Sequence, residues 1–98
     1  MTPQLQQELW TSWASLLRSY AGVHGLGKDQ HAVVEVSEAT ILVRFGQRTL
    51  HFTHATCTLA DGSSKPFALT VNGRARVGDD EDEMDLFAER LASEIINA

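Results

Sequence analysis

The chain has 98 residues, of which 43% are hydrophobic and 21% charged, and its net charge is −5 at pH 7. This composition is typical of one globular domain, 1–98, and the acidic balance excludes general binding to nucleic acid or to an anionic membrane. Cys57 is the single cysteine, so the chain can form neither an internal disulfide nor a zinc site built on several cysteines.

The first predicted element is a helix that begins at Pro3. Thr2 can accept a hydrogen bond as the N-cap, and Pro3 suits the first helical position because its missing N–H needs no partner there. Gly22 or Gly25 is expected to end the helix. Apolar residues at three- and four-residue steps predict one buried stripe, which Trp10 widens. The stripe consists of Leu5, Leu9, Trp13, Leu16, Leu17 and Tyr20.

The charges of this first segment bear on where the protein resides. Glu8 and Arg18 interrupt its apolar residues, whereas a signal peptide has a basic flank followed by an unbroken apolar stretch. No apolar run in the sequence approaches the ~20 residues that span a bilayer. A lone thiol also suits a reducing compartment. We therefore expect a cytoplasmic protein.

From His31 onward, apolar residues alternate with polar ones, and this period of two predicts an antiparallel sheet with one buried face. Residues 46–48 and 61–64 have turn composition, and Asn72-Gly73 predicts a type I′ hairpin. The predicted strands are 31–37, 40–45, 49–53, 66–71 and the short 74–77. The buried face is expected to contain Ala32, Val34, Val36, Ile41, Val43, Phe45, Leu50, Phe52, Phe67, Leu69, Val71, Ala75 and Val77.

The last predicted element is a second helix, from about Asp80 to Asn97. Its apolar stripe consists of Met84, Phe87, Ala88, Leu91, Ala92 and Ile95. The element order is therefore α-β-β-β-β-(β)-α. Because only one face of the sheet is apolar, the N- and C-terminal helices are both expected to pack on that face. The predicted fold is an α+β two-layer sandwich with an antiparallel sheet.

The stretch HFTHATC contains two histidines and the only cysteine. If it is a single strand, His51 and Cys57 share a face but lie ~20 Å apart, and His54 points to the other face. Metal–ligand bonds are about 2.0–2.3 Å long, so these three side chains cannot bind one ion. We expect no metal site in this stretch.

The same stretch breaks the apolar alternation. Apolar residues occupy even positions at Leu50 and Phe52 but odd positions at Cys57 and Leu59. One extra residue, as in a β-bulge, restores the phase. A bulge or a break is therefore predicted within 53–56; the alternative is that Leu59 stays on the outer face.

The acidic run DDEDEMD, residues 79–85, is the strongest charge cluster. It lacks the alternating ligand pattern of an EF-hand loop, whereas carboxylates at a helix start complement the helix dipole. We therefore interpret the run as the cap of the second helix, with an acidic patch for a basic partner as the alternative. No metal or other cofactor is expected.

No pattern in the sequence indicates catalysis. Cys57 lacks the cationic neighbour that lowers the pKa of a reactive thiol, so a small core residue is the simpler interpretation. No histidine has an assignable carboxylate partner in a cleft. An enzyme that uses His51 or His54 with a distant carboxylate is the least supported alternative.

The uncovered face and the two edges of the sheet are the surfaces best suited to a partner. We expect a non-enzymatic binding module that self-associates, as a dimer or larger homo-oligomer, or that binds another protein. A charge at Leu42 is expected to weaken association more than folding. The predicted interaction face contains Val33, Glu35, Leu42, Arg44, His51, Thr53, Thr70, Arg74 and Arg76.

A small-molecule ligand between the helices and the sheet is the second hypothesis. Trp10, Trp13, Tyr20 and Phe87 are large enough to wall a pocket. The same side chains can instead fill the core. A cavity lined by polar groups between the layers distinguishes a pocket from a closed core.

Overall fold

A computed structural model describes residues 1–97 and has two layers. Seven antiparallel strands form one sheet, in which each strand pairs with its neighbours in the sequence. The predicted α+β arrangement, with terminal helices packed against an antiparallel sheet, is confirmed. The elements are α1 (Pro3–His24), β1 (Val33–Val36), β2 (Thr40–Phe45), β3 (Arg48–Thr53), β4 (Thr56–Thr58), β5 (Ser64–Leu69), β6 (Arg74–Val77), β7 (Asp80–Glu83) and α2 (Met84–Asn97).

The first helix begins and ends where the sequence predicts. The Oγ1 atom of Thr2 accepts a hydrogen bond from the backbone N–H of Leu5 at 3.1 Å, so Thr2 is the N-cap. Pro3 opens the helix and Gly25 is its C-cap. Local capping chemistry therefore determines both ends of α1.

The buried stripe of α1 is centred differently from the prediction. Trp10, expected at the margin of the stripe, is only 1% exposed, whereas Leu9 and Leu16 are partly buried. The indole N–H of Trp10 donates to the carbonyl oxygen of Ser37 at 2.9 Å. This bond connects α1 to the turn that follows β1. The Trp10 ring lies in the interior.

Two adjacent turns at one end of the sheet are built alike. They have the sequences SEAT, residues 37–40, and THAT, residues 53–56. The hydroxyl of Ser37 accepts hydrogen bonds from the backbone N–H groups two and three residues on, at 3.3 and 3.0 Å. The hydroxyl of Thr53 does the same at 3.2 and 2.9 Å. These side-chain bonds stabilise two turns that contain no glycine.

The stretch 51–57 is a hairpin, not one strand. The predicted break is confirmed, because β3 ends at Thr53 and β4 begins at Thr56. Phe52 is paired with Cys57 on the core side, and His51 is paired with Thr58 on the outer side. Because the stretch is not a single strand, His51 and Cys57 do not share a face. The three-residue β4 was not predicted, since so short a strand shows no period.

The β5–β6 hairpin lies where it was predicted, but its loop differs. The backbone N–H of Gly73 donates to Thr70 at 3.0 Å, and that of Thr70 donates to Arg74 at 2.8 Å. Gly73 has a φ of 77°, and no other residue type within 1–97 has a positive φ. The loop is therefore a type I turn followed by a left-handed glycine, not a type I′ turn. Val71, predicted to be buried, lies in this loop and is 59% exposed.

The acidic run forms the edge strand β7 instead of the start of the second helix. Arg74 and Arg76 of β6 lie opposite Glu83 and Glu81, so opposite charges meet across the strands. Such cross-strand pairs stabilise a sheet. The capping interpretation is wrong for residues 80–83; α2 starts at Met84, and only Asp85 lies in its first turn.

The core lies between the two helices and one face of the sheet. Every residue of the predicted α2 stripe is buried. Most of the predicted sheet face is buried too, with Ala32, Val34 and Leu69 packed against its margin. Val36 is the exception in β1, because it lies on the outermost strand and is 38% exposed.

Candidate functional site

The residues of the predicted interaction face lie on two separate parts of the sheet. On β1–β3, Val33 is paired with Arg44, and Leu42 lies between Glu35 and His51. Thr53 lies at the end of β3, opposite Thr40 of β2. Arg74 and Arg76 lie on β6, and Thr70 lies in the turn before it. Strands β4 and β5 separate the two parts.

The arginines of this face have carboxylate partners within the chain. Arg44 lies 3.2 Å from Glu35, and both Arg74 and Arg76 lie 2.9 Å from Glu81. Hydrogen bonds from Arg76 and then Arg74 hold the pKa of Glu81 below its ordinary value. The outer face is therefore a polar surface with its charges already paired, and it does not present a row of free cations.

The proposed pocket-wall residues do not enclose one pocket. Trp13 is 0% exposed and packs edge-on against Phe87, with ring centroids 6.4 Å apart. Trp10 borders a cleft at one end of the sheet, whereas Phe87 borders a different one beside α2. The hydroxyl of Tyr20 donates to the carboxylate of Asp85, and this bond raises the pKa of Tyr20. These two contacts connect the two helices with each other.

Trp10 and His54 line a cleft at one end of the sheet. It has a volume of about 220 Å³ and mostly apolar walls. The imidazole of His54 lies 4.1 Å from the Trp10 ring, centroid to centroid. The Nε2 atom of His54 is 2.6 Å from the backbone oxygen of Glu38, to which it can donate. The further lining residues are Met1, Gln6, Leu9, Phe67, Ala68 and Leu69.

The residues that could perform chemistry are dispersed. His54 contacts a backbone carbonyl and not a carboxylate. Burial raises the pKa of the Cys57 thiol to about 11, so the thiol is protonated at neutral pH. Within residues 1–97, no group of three or more His, Cys, Asp or Glu residues could hold a metal ion. The carbonyl contact does not orient His54 as a general base, and its raised pKa does not activate Cys57 as a nucleophile.

The strand β1 forms an exposed edge of the sheet, and it is rich in valine. Its sequence is VVEV, and Val33 and Val36 are 39% and 38% exposed. The backbone N–H of Ser37 donates to Thr40 of β2 at 2.8 Å. Since paired and unpaired residues alternate in an antiparallel ladder, Val34 and Val36 direct their N–H and C=O groups away from β2. This edge can accept another strand.

A groove runs between this edge and α1. It has a volume of about 490 Å³. The β1 side of the groove contains Val36, Ser37 and Glu38. The α1 side contains Gln7, Trp10, Thr11, Ala14, Ser15 and Arg18. A strand added to β1 would therefore lie beside an exposed, polar side of α1.

Sequence reasoning missed this groove and the Trp10–His54 contact. The VVEV pattern predicts a strand but does not reveal that the strand lies at an edge, because strand order is not encoded in a local pattern. The partners considered for His54 from the sequence are its neighbours in the chain and a distant carboxylate, whereas its contacts come from α1 and from the turn at 37–40. The polar side of α1 could have been found from its helical periodicity.

Comparisons with known proteins identify no relative. No protein-family model matches the chain, and neither the curated proteins nor the solved structures contain a significant match. Within the described residues, neither helix is long and apolar enough to cross a bilayer.

Proposed function

We propose that this protein is a non-enzymatic binding module that self-associates through the free edge of β1. The observation that carries this proposal is the contrast between the two edges of the sheet. The edge strand β7 has the sequence DEDE, whereas β1 has the sequence VVEV with one charge. Charged side chains are a common means of keeping an edge strand from pairing. Here they protect β7 and leave β1 open.

The occupant best matched to the β1 edge is a second copy of it. Two-fold dimers are the commonest assembly, and an antiparallel pair of identical strands is self-complementary. If Val34 lies opposite Val36 of the second copy, the outward backbone groups of both residues find partners. Glu35 then lies opposite its symmetry mate. The bond from Arg44 to Glu35, at 3.2 Å, reduces that repulsion.

Molar mass by light scattering across a wide concentration range tests the proposal. We expect a dimer whose fraction rises with concentration. The variant Val36→Lys places a charge on the edge and is expected to be monomeric, because an edge lysine opposes strand addition. Far-ultraviolet circular dichroism should show that its fold is intact. A wild-type chain that stays monomeric throughout the range overturns the proposal.

The chain offers a matched control for this variant. Val71 is an exposed valine of the β5–β6 loop, far from the β1 edge in the strand order, so Val71→Lys should leave the dimer intact. Leu42→Lys distinguishes the edge from the outer face, because Leu42 lies on the adjacent strand β2 and points outward. Loss of the dimer in Leu42→Lys, with retention in Val36→Lys, would place the interface on the outer face and contradict an edge interface.

The Trp10 cleft supports a second candidate function, the binding of a small apolar molecule. Its apolar walls and the adjacent His54 ring fit a compact aromatic ligand that can also make one hydrogen bond. Indole, titrated while ligand-induced shifts of the backbone amides are followed by NMR, is a suitable probe. Saturable shifts confined to 54 and 67–69 would support this candidate. Shifts that are absent in wild type, or unchanged in Leu69→Trp, would count against it.

We also propose that the protein acts in the cytoplasm. The support is the buried, protonated thiol of Cys57 together with the absence of a disulfide partner in the sequence. An enzyme that uses a histidine–carboxylate pair gains no support, since the close partner of His54 is a backbone oxygen.

A further inference from the structure

The arginines of this chain differ in whether they form an ion pair with a carboxylate of the same chain. Arg44, Arg74, Arg76 and Arg90 each form an ion pair. Arg18 forms none within residues 1–97, although it borders the groove beside β1. An exposed arginine at the wall of a groove is a natural partner for a carboxylate from whatever fills that groove.

The exposed polar side of α1 next to the groove carries one charge of each sign: Arg18 lines the groove, and Glu8 lies on the same side of the helix but outside the groove lining. At 100° per residue, seven exposed positions that include Glu8 and Arg18 fall within about 100° of the helix circumference. About a centre at residue 13, Glu8 and Arg18 are equidistant, each roughly 7.5 Å along the helix axis. Thr11 and Ser15 form an inner pair about the same centre. The members of this polar stripe are Gln4, Gln7, Glu8, Thr11, Ser15, Arg18 and Gly22, all exposed.

Such a stripe is complementary to itself in the antiparallel direction. When two copies of α1 pack antiparallel about a two-fold axis near residue 13, Arg18 of each lies opposite Glu8 of the other, and Thr11 lies opposite Ser15. A two-fold axis always generates both members of such a pair. Parallel packing would instead place like charges together. The short polar side chains between the charges allow a close approach of the helices.

We propose that the dimer formed through β1 is completed by α1, with reciprocal ion pairs between Arg18 of one chain and Glu8 of the other. This inference rests on the proposed self-association, because addition of a second β1 brings its α1 to the same groove. Pairing at β1 supplies backbone hydrogen bonds, and these do not depend on the side chains of the added strand. The helix pair supplies the selection of a second copy over an unrelated strand, since charge complementarity favours specificity.

A charge exchange tests this inference, with the dimer dissociation constant measured by analytical ultracentrifugation. Arg18→Glu replaces two attractive contacts with two repulsive ones and should weaken the dimer about tenfold. Glu8→Arg should do the same. The double variant Glu8→Arg/Arg18→Glu restores both pairs in reverse and should return to within about threefold of wild type. Arg18→Gln, which removes the charge without adding repulsion, should have an intermediate effect.

The control variant has the same net charge as the charge exchange, but its added arginine lies at a different position. Arg18→Glu/Glu94→Arg has the same net charge as the charge exchange, but Glu94 lies on α2; it should stay as weak as Arg18→Glu. The role of α1 is overturned if the dimer dissociation constant is unchanged in all these variants. It is also overturned if adding Glu94→Arg to Arg18→Glu restores the dimer as well as adding Glu8→Arg does. Either outcome is compatible with an interface at β1. A wild-type chain that is monomeric at every concentration overturns both the role of α1 and the interface at β1.

Discussion

At the scale of single residues, the sequence pattern predicts that Glu81 belongs to the cap of a helix. In the structure, Glu81 instead stabilises the pairing of β6 with β7. Its carboxylate accepts hydrogen bonds from Arg74 and Arg76 at 2.9 Å each. The sequence places arginines at alternate positions of β6 and an acid at every position of β7. This complementarity becomes visible only once the two segments are known to be neighbours.

Glu81→Gln should reduce the free energy of unfolding at neutral pH and have little effect in acid. The two arginines hold the pKa of Glu81 below its ordinary value, so the folded state favours the ionised carboxylate. That contribution is present above the unfolded pKa of about 4.3 and is lost as the pH falls through the lower, folded pKa. Urea denaturation at pH 7 and in acid measures it.

The control for this prediction is Glu94→Gln, since Glu94 is an exposed acid that forms no ion pair within residues 1–97. Its urea midpoint should stay close to that of wild type at both pH values. If the difference between wild type and Glu81→Gln is the same at neutral and acidic pH, ionisation of Glu81 is not what stabilises β7.

At the scale of elements, a helix or strand was predictable when its pattern was long and its apolar and polar positions were clearly distinct. The ends of α1 were predictable because Thr2, Pro3 and Gly25 act on their own backbone. Strands of six residues were predictable because alternation persists long enough to be seen. The strand β4 was too short, and β7 consists of residues with low strand propensity that tertiary pairing overrides. Both strands are held by pairing with the preceding strand of a hairpin, β4 with β3 and β7 with β6, and the pattern within one strand does not reveal such pairing.

Thr53→Ala should destabilise the β3–β4 hairpin and lower the free energy of unfolding by about 1 kcal/mol. The hydroxyl of Thr53 accepts two backbone hydrogen bonds in a turn without glycine. Thr53→Ser keeps the hydroxyl and also loses the β-branch, so it is the matched control. Urea denaturation compares the two. Equal stability of the alanine and serine variants would mean that the hydroxyl does not stabilise the turn.

At the scale of the whole molecule, the sequence predicted the two layers but not the free edge of the sheet at β1. The apolar and polar faces of the sheet follow from alternation, so the outer face was predictable residue by residue. An edge is a property of strand order, and no residue of β1 indicates by itself that β1 has one neighbour. Alternation predicts Val34 and Val36 of β1 to be buried, whereas Val36 is 38% exposed and borders an open groove.

If the β1 edge joins two copies, the thermal stability of the protein must depend on its concentration. Whatever binds only the folded state stabilises it by mass action. For a dimer well above its dissociation constant, each tenfold rise in concentration adds about 0.7 kcal/mol per chain, or roughly 3–5 °C in Tm for a domain of this size. Val36→Lys should abolish this dependence and Val71→Lys should preserve it. Scanning calorimetry at several concentrations measures the slope, and a flat profile for wild type would mean that the folded chain has no copy of itself as a partner.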